Sequence, residues 1–148
     1  MRIALAADHA GFALKDELAA WLAEQGHDVA DLGTNGATSV DYPEFGAKLA
    51  CAIASGEATH GIAVCGSGIG ISIAINREPK CRCARVDDPL SAALAREHND
   101  ANVLALGARL VGPDMAKACV AAFLGTDFAG GRHQRRVDQL SHILQDSD

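Results

Sequence analysis

Cys65-Gly66-Ser67-Gly68-Ile69-Gly70 sets a thiol directly before a loop in which every second residue is glycine. Glycines let the backbone turn tightly and present its N–H groups without side chains in the way. A helix predicted after them adds its positive end. The run therefore reads as an anion-binding nest, with a thiol placed where its thiolate is favoured as a nucleophile or base. It is not the dinucleotide Gly-x-Gly-x-x-Gly, it follows the third apolar run and not the first, and it lacks the Lys-Ser/Thr of a P-loop. A cysteine phosphatase would want an arginine six positions on, and position 71 is Ile71. Locally, Cys65 reads either as a reactive group or as a buried strand-end thiol.

Other clusters carry suitable groups. Asp8 and His9 interrupt the first apolar run. His98-Asn99-Asp100 offers an imidazole that can protonate a sugar oxygen and an amide that can orient it, although such a turn serves equally to cap a helix. Gly130-Gly131-Arg132-His133-Gln134-Arg135-Arg136 places Arg132 and Arg136 four apart at a predicted helix start, on one face. Two guanidinium groups suit a phosphate. They oppose the helix dipole there, which makes a bound anion a plausible partner, although such a charge cluster reads locally as solvated surface as well. The net charge is −6, so an anionic ligand needs such a local basic pocket, and nucleic acid is not an expected partner.

The segments that must position these groups alternate. Apolar runs at 1–7, 27–32, 61–64, 81–86 and 103–106 predict strands. Helices are predicted over 12–25, 42–55, 71–75, 90–97, 113–124 and 132–144. The first shows a stripe at Phe12, Leu14, Leu18, Trp21 and Leu22 and stops at Gly26. Pro43 and Pro113 stand in first turns, and Asp87-Asp88-Pro89 caps a further helix. Short apolar strands without polar alternation belong to a parallel sheet covered on both faces. The expectation is one domain over 1–148, an α/β fold with a doubly wound, Rossmann-like five-stranded parallel sheet, helices on both faces and an extra C-terminal helix. Ligands in such sheets bind at the carboxyl ends of the strands, and Asp8, His9, Cys65, Ser67, His98 and Asn99 are expected to meet at one edge.

Composition narrows the class. Apolar residues make up 49% and charged residues 22%, enough for a sizeable core in 148 residues. Five cysteines, an odd number, with no signal peptide expected, point to free thiols in a reducing cytoplasm. No apolar run approaches the roughly 18 residues of a membrane span. Cys81 and Cys83 stand too close for the usual zinc pair and have no second pair, so they are expected in the core.

Taken in order, Asp8-His9-Ala10-Gly11, Asp41-Tyr42-Pro43, Cys65 through Ser72, Arg96 through Asn102 and Gly130-Gly131-Arg132-His133 resemble the ribose-5-phosphate isomerase B family over nearly the whole chain. Relatives in that family include allose- and galactose-phosphate isomerases. The resemblance implies an aldose–ketose isomerase acting on ribose 5-phosphate, with six-carbon 6-phosphates as the alternative. By that resemblance Cys65 is the base, Ser67 shuttles the hydroxyl proton, and His98 opens the furanose ring with help from Asp8. The loop Gly66, Ser67, Gly68, Ile69 and Gly70 takes the enediolate oxygen. His9, Arg109, Arg132 and Arg136 hold the phosphate, Asn99 contacts a sugar hydroxyl, and Tyr42 is a further substrate-binding residue. A branch of the family uses a Glu six positions after the cysteine's place; with Cys65 present and Ile71 there, this chain is of the cysteine type. The resemblance also implies a homodimer with shared sites, which could pair further into a tetramer, and no metal or cofactor. Two rivals are a non-catalytic sugar-phosphate or nucleotide-binding module, which would not need Cys65 or His98, and a flavodoxin-like electron carrier, which sparse aromatics (4%) disfavour.

Overall fold

Each apolar run is followed by a helix that carries the chain back to the same sheet edge, so all neighbouring strands lie parallel. In the computed structural model, which describes residues 1–142, the order is β1 (Arg2–Ala7), α1 (Phe12–Glu24), β2 (Asp28–Asp31), α2 (Tyr42–Ala54), β3 (His60–Cys65), α3 (Ile69–Ile75), β4 (Cys83–Arg85), α4 (Pro89–Asn99), β5 (Val103–Gly107), α5 (Pro113–Leu124) and α6 (Arg132–Leu140). The strands form one five-stranded sheet in the order β2-β1-β3-β5-β4. Both faces are covered, as expected. The expected end of the last helix, near residue 144, lies outside the described residues.

Three boundaries differ from expectation for local reasons. α3 begins two residues earlier, at Ile69, because Gly68 takes a left-handed conformation (φ 76°) and turns the chain into the helix at once. β4 shrinks to three residues. Before it, the Arg82 N–H donates to the Asn102 side chain at 2.8 Å, and at its start the Asn76 side chain takes both backbone groups of Cys83. α4 runs on through His98 and Asn99, and Asp100 closes it with φ 46°.

Side-chain size alternates along the central strands and sorts the two cores. Ile3, Leu5, Ile62, Val64, Leu104 and Leu106 face α1, α4 and α5. Ala4, Ala6, Ala63, Cys65 and Ala105 face α2 and α3. The smaller face lets α2 and α3 approach the sheet closely, and it is the face on which Cys65 stands.

The Asp88 side chain caps α4, accepting from the Ser91 N–H at 2.7 Å and the Ser91 hydroxyl at 2.8 Å. The backbone and side-chain hydrogen bonds from Ser91 hold its carboxyl below the usual aspartate range. A carboxylate favoured in the folded state stabilises above its unfolded pKa and loses that contribution as pH falls through the folded one. Asp88→Ala is expected to melt at a lower temperature than the parent near pH 7. The difference should shrink as pH drops below about 4, read by thermal melts across pH.

Candidate active site

The carboxyl ends of β1 and β3 are direct neighbours, with Ala7 opposite Val64. The chain leaves them toward opposite sides of the sheet, β1 to β2 and β3 across to β5 and β4. Such a divergence leaves a crevice above the strand ends. A cavity of about 340 Å³ fills it, lined by Asp8, His9, Ala10, Tyr42, Cys65, Gly66, Ser67, Gly70, Arg109 and Leu110.

Cys65 ends β3 and is 4% exposed. Its Sγ accepts the Gly68 N–H at 3.1 Å, which fixes the sulfur at the mouth of the glycine loop. The loop amides of Gly66 and Ser67 have no acceptor among the described residues, and the Gly70 amide is one of the donors every helix start leaves over. These donors stand beside the sulfur and remain available to an oxyanion. Ser67 Oγ accepts from the Ile69 N–H at 3.1 Å, so its own proton is free to be donated.

The glycines are dictated by close approach. A Cβ on Gly68 would sit 2.8 Å from the Leu106 carbonyl carbon, besides the left-handed φ. A Cβ on Gly70 would lie 2.7 to 2.9 Å from three atoms of the Tyr42 ring, so the phenol covers the loop edge. Arg109 covers Gly66 in the same way, its guanidinium 3.4 Å from where a Cβ would be. Ile69 is carried outward by the helix start and is 51% exposed, so of its side and main chains only the latter serves the loop.

Asp8 is buried, and its Oδ1 accepts the amides of Ala10 (3.0 Å) and Gly11 (3.1 Å), fixing the turn into α1. His9 Nδ1 lies 3.1 Å from the Val40 backbone N and 3.2 Å from the Val40 carbonyl oxygen, so Val40 holds the ring by Nδ1. Lys15, which the sequence pattern does not single out as a site residue, anchors this corner. It is fully buried, with Nζ 2.7 Å from both Asp31 oxygens, 2.8 Å from Asp16 and 3.2 Å from Asn35. Asp31 in turn accepts the Gly33 N–H at 2.9 Å, and Gly33 and Thr34 bond both backbone groups of Ala7, the residue before Asp8. A charged residue inside the Leu14–Leu18–Leu22 stripe is the one signal for it.

The expectation that His98 and Asn99 meet Cys65 at one edge is corrected. α4 returns antiparallel to the strands, so its last residues arrive at the opposite edge of the sheet. Asn102 just beyond them accepts the Gly61 N–H at 2.9 Å, and Gly61 to Cys65 is about 13 Å of extended strand. Arg132 and Arg136 belong to that far group. His133, next to Arg132, stacks on His98 with ring centroids 4.4 Å apart. Lost hydration, then the charges of His98, Arg132 and Arg136, hold His133 below the usual histidine range. Both arginines are exposed and pair with no acid among the described residues. Asn99 lines a different cavity, of about 430 Å³, together with Arg82, Cys83 and Leu140. The expected residues thus fall into two groups at opposite sheet edges: Cys65, Ser67, Asp8, His9, Tyr42 and Arg109 in one; His98, Asn99, Arg132 and Arg136 in the other.

Three of the other cysteines are set against reactivity. Burial, then Glu78, pushes the Cys81 thiol up to about 11, and burial also raises Cys83 and Cys119. None of the five is in a disulfide.

Residues 3–140 match the family model described as Ribose/Galactose Isomerase. The chain is 47% identical over 144 residues to ribose-5-phosphate isomerase B of Escherichia coli, covering 97% of each. Among solved structures it is similar to ribose-5-phosphate isomerase B of Clostridium thermocellum, with TM-score 0.97, 47% identity and full coverage of both chains. It is also similar to the Mycoplasma genitalium ribose-5-phosphate isomerase B solved with bound ribulose-5-phosphate, with TM-score 0.93, 36% identity and coverage of 99% and 97%.

Proposed function

The chain belongs to the ribose/galactose isomerase family, and on that premise we propose that it interconverts ribose 5-phosphate and ribulose 5-phosphate with Cys65 as the base. The observation that carries this reading is the Cys65 thiol on the floor of the cavity, with unused loop amides on one side and Asp8, His9 and Arg109 around it. The ribulose 5-phosphate held by the Mycoplasma genitalium relative supports a five-carbon substrate.

In this mechanism the thiolate takes the C2 proton of the open-chain aldose, and the C–H electron pair becomes the C1–C2 double bond. The carbonyl oxygen takes up negative charge against the Gly66, Ser67 and Gly70 amides. Preorganised donors of this kind stabilise a developing oxyanion by about 3 kcal/mol each. Ser67, its hydroxyl proton free, passes the proton from O2 to O1. The Cys65 thiol then protonates C1, leaving the ketone at C2 and the thiolate restored. The phosphate, held by Arg109 and His9, keeps C1 and C2 beside the sulfur.

Ring opening and the rest of the phosphate grip fall to the second half-site, and we assign it to another copy of the chain. Within one chain the two halves lie at opposite sheet edges, so His98, Asn99, Arg132 and Arg136 reach a Cys65 only across a subunit boundary. Exposed apolar pairs one turn apart, Ile69 and Ile73 on α3 and Leu90 and Leu94 on α4, offer surface for such a contact. No described helix is long and apolar enough to cross a membrane, and five free thiols suit the cytoplasm.

Purified protein should convert ribose 5-phosphate to ribulose 5-phosphate, and a panel including allose and galactose 6-phosphates ranks the sugars. A protein inert toward all of them would overturn the reading in favour of a binding module. Arg132→Ala and Arg136→Ala are expected to raise KM on the order of 10- to 100-fold with kcat little changed, because the phosphate is gripped alike in ground and transition states. Inorganic phosphate should compete in the parent. Equal turnover of unphosphorylated ribose would remove the phosphate role.

A further inference from the structure

We propose that Arg85 is a positioning residue for Cys65, acting through the single peptide unit that joins Ser67 to Gly68. Arg85 ends the edge strand β4, opposite Ala105, on the sheet face that also carries Cys65. Its Nε donates to the Ser67 carbonyl at 3.0 Å. The N–H of that same amide, on Gly68, donates to Cys65 Sγ at 3.1 Å.

A trans peptide points its C=O and N–H in opposite directions. The guanidinium and the sulfur therefore sit at the two ends of one amide dipole, each at the end that suits it. A cation on the carbonyl oxygen does two things. It fixes the rotation of a peptide in a glycine-rich loop, which would otherwise be free to swing its N–H away from the sulfur. It also polarises the amide, making the N–H a stronger donor to a thiolate than to a thiol. Asp87 tempers the effect, its carboxylate 2.6 Å from Arg85 Nη1. The other ionisable groups facing the sulfur are Asp8 and His9 beyond β1, Tyr42 at the start of α2 and Arg109 beyond β5. The start of α3 presents none, since it reads Ile69-Gly70-Ile71-Ser72.

The role rests on Cys65 being the base, yet its test reads the thiol and not turnover. Iodoacetamide labelling of the Cys65 peptide is followed by mass spectrometry from pH 6 to 10.5, on intact protein. In Arg85→Leu the labelling rate at pH 7 should fall about three- to tenfold and rejoin the parent's above about pH 10, beyond the range in which cysteine thiols ordinarily titrate. Arg85→Lys should recover part of the loss. Asp87→Asn, which frees the guanidinium of its counter-charge, should move the rate at pH 7 the other way, upward. In turnover, Arg85→Leu should lower kcat near neutrality with KM little changed.

A labelling profile of Arg85→Leu that superimposes on the parent's, or lies below it by one factor at every pH, overturns the proposal. If Arg85→Leu does not fold, Asp87→Asn decides alone, and an unchanged or lower rate at pH 7 overturns it. Shifted labelling in a parent that turns over no sugar phosphate would refute the isomerase reading and leave this inference standing.

Discussion

Cys65→Ala is expected to lower kcat on the order of 10³-fold or more while leaving melting temperature and phosphate binding close to the parent's. Positioned general bases contribute roughly 10² to 10⁴, and no neighbour is placed to substitute. Asp8 has Oδ1 committed to two backbone amides, and His9 has Nδ1 committed to Val40. The fold should tolerate the change, since Sγ makes one hydrogen bond, to an amide at the cavity floor. Cys65→Ser sharpens the test. The hydroxyl can take the same Gly68 N–H but does not ionise near neutrality, so its activity should lie close to that of the alanine variant. Exchange of solvent deuterium into the sugar carbon should vanish with turnover in both. Retained exchange would move the base elsewhere in the cavity.

The elements that carry this site are legible in the sequence because their punctuation is strong. Short apolar runs, glycine stops and prolines in first turns define β1 through α5 almost without tertiary information. The order β2-β1-β3-β5-β4 is not legible, since nothing local tells β5 to insert between β3 and β4. The alternation of large and small residues in Ile3-Ala4-Leu5-Ala6, Ile62-Ala63-Val64-Cys65 and Leu104-Ala105-Leu106 is a subtler signal. It sorts the two sheet faces by size and puts Cys65 on the small-residue face, where the core indeed has it. Grouping His98 with Cys65 fails for a geometric reason. It stands at the end of a helix, and eleven residues at 1.5 Å each carry the chain about 16 Å back along the sheet. Lys15 and Arg85 escape a local reading because their partners, Asp31 and the Ser67 carbonyl, are 16 and 18 residues away in sequence.

Mixing two inactive proteins should restore activity if the halves of the site come from different copies. Under the proposed assignment, Cys65→Ala would lack the base in every site and His98→Ala the ring opener in every site, so each protein alone should be nearly inert on the furanose form. Dissociated and reassociated in equal amounts, they form about half heterodimers by statistics. In a heterodimer, one site joins the intact Cys65 of one chain to the intact His98 of the other, and its second site carries both lesions. Recovery of about a quarter of the parent's activity follows. Geometry demands this outcome of a shared site, because His98 and Cys65 occupy opposite edges of the sheet. The recovered activity should keep the parent's KM, since the intact site also holds Arg109 from one chain and Arg132 and Arg136 from the other. A His98→Ala protein supplied with open-chain substrate should lose its defect while Cys65→Ala does not, which separates ring opening from proton transfer. If heterodimers form, as native mass spectrometry would show, and the mixture stays as inert as its parents, the two residues do not act in one shared site.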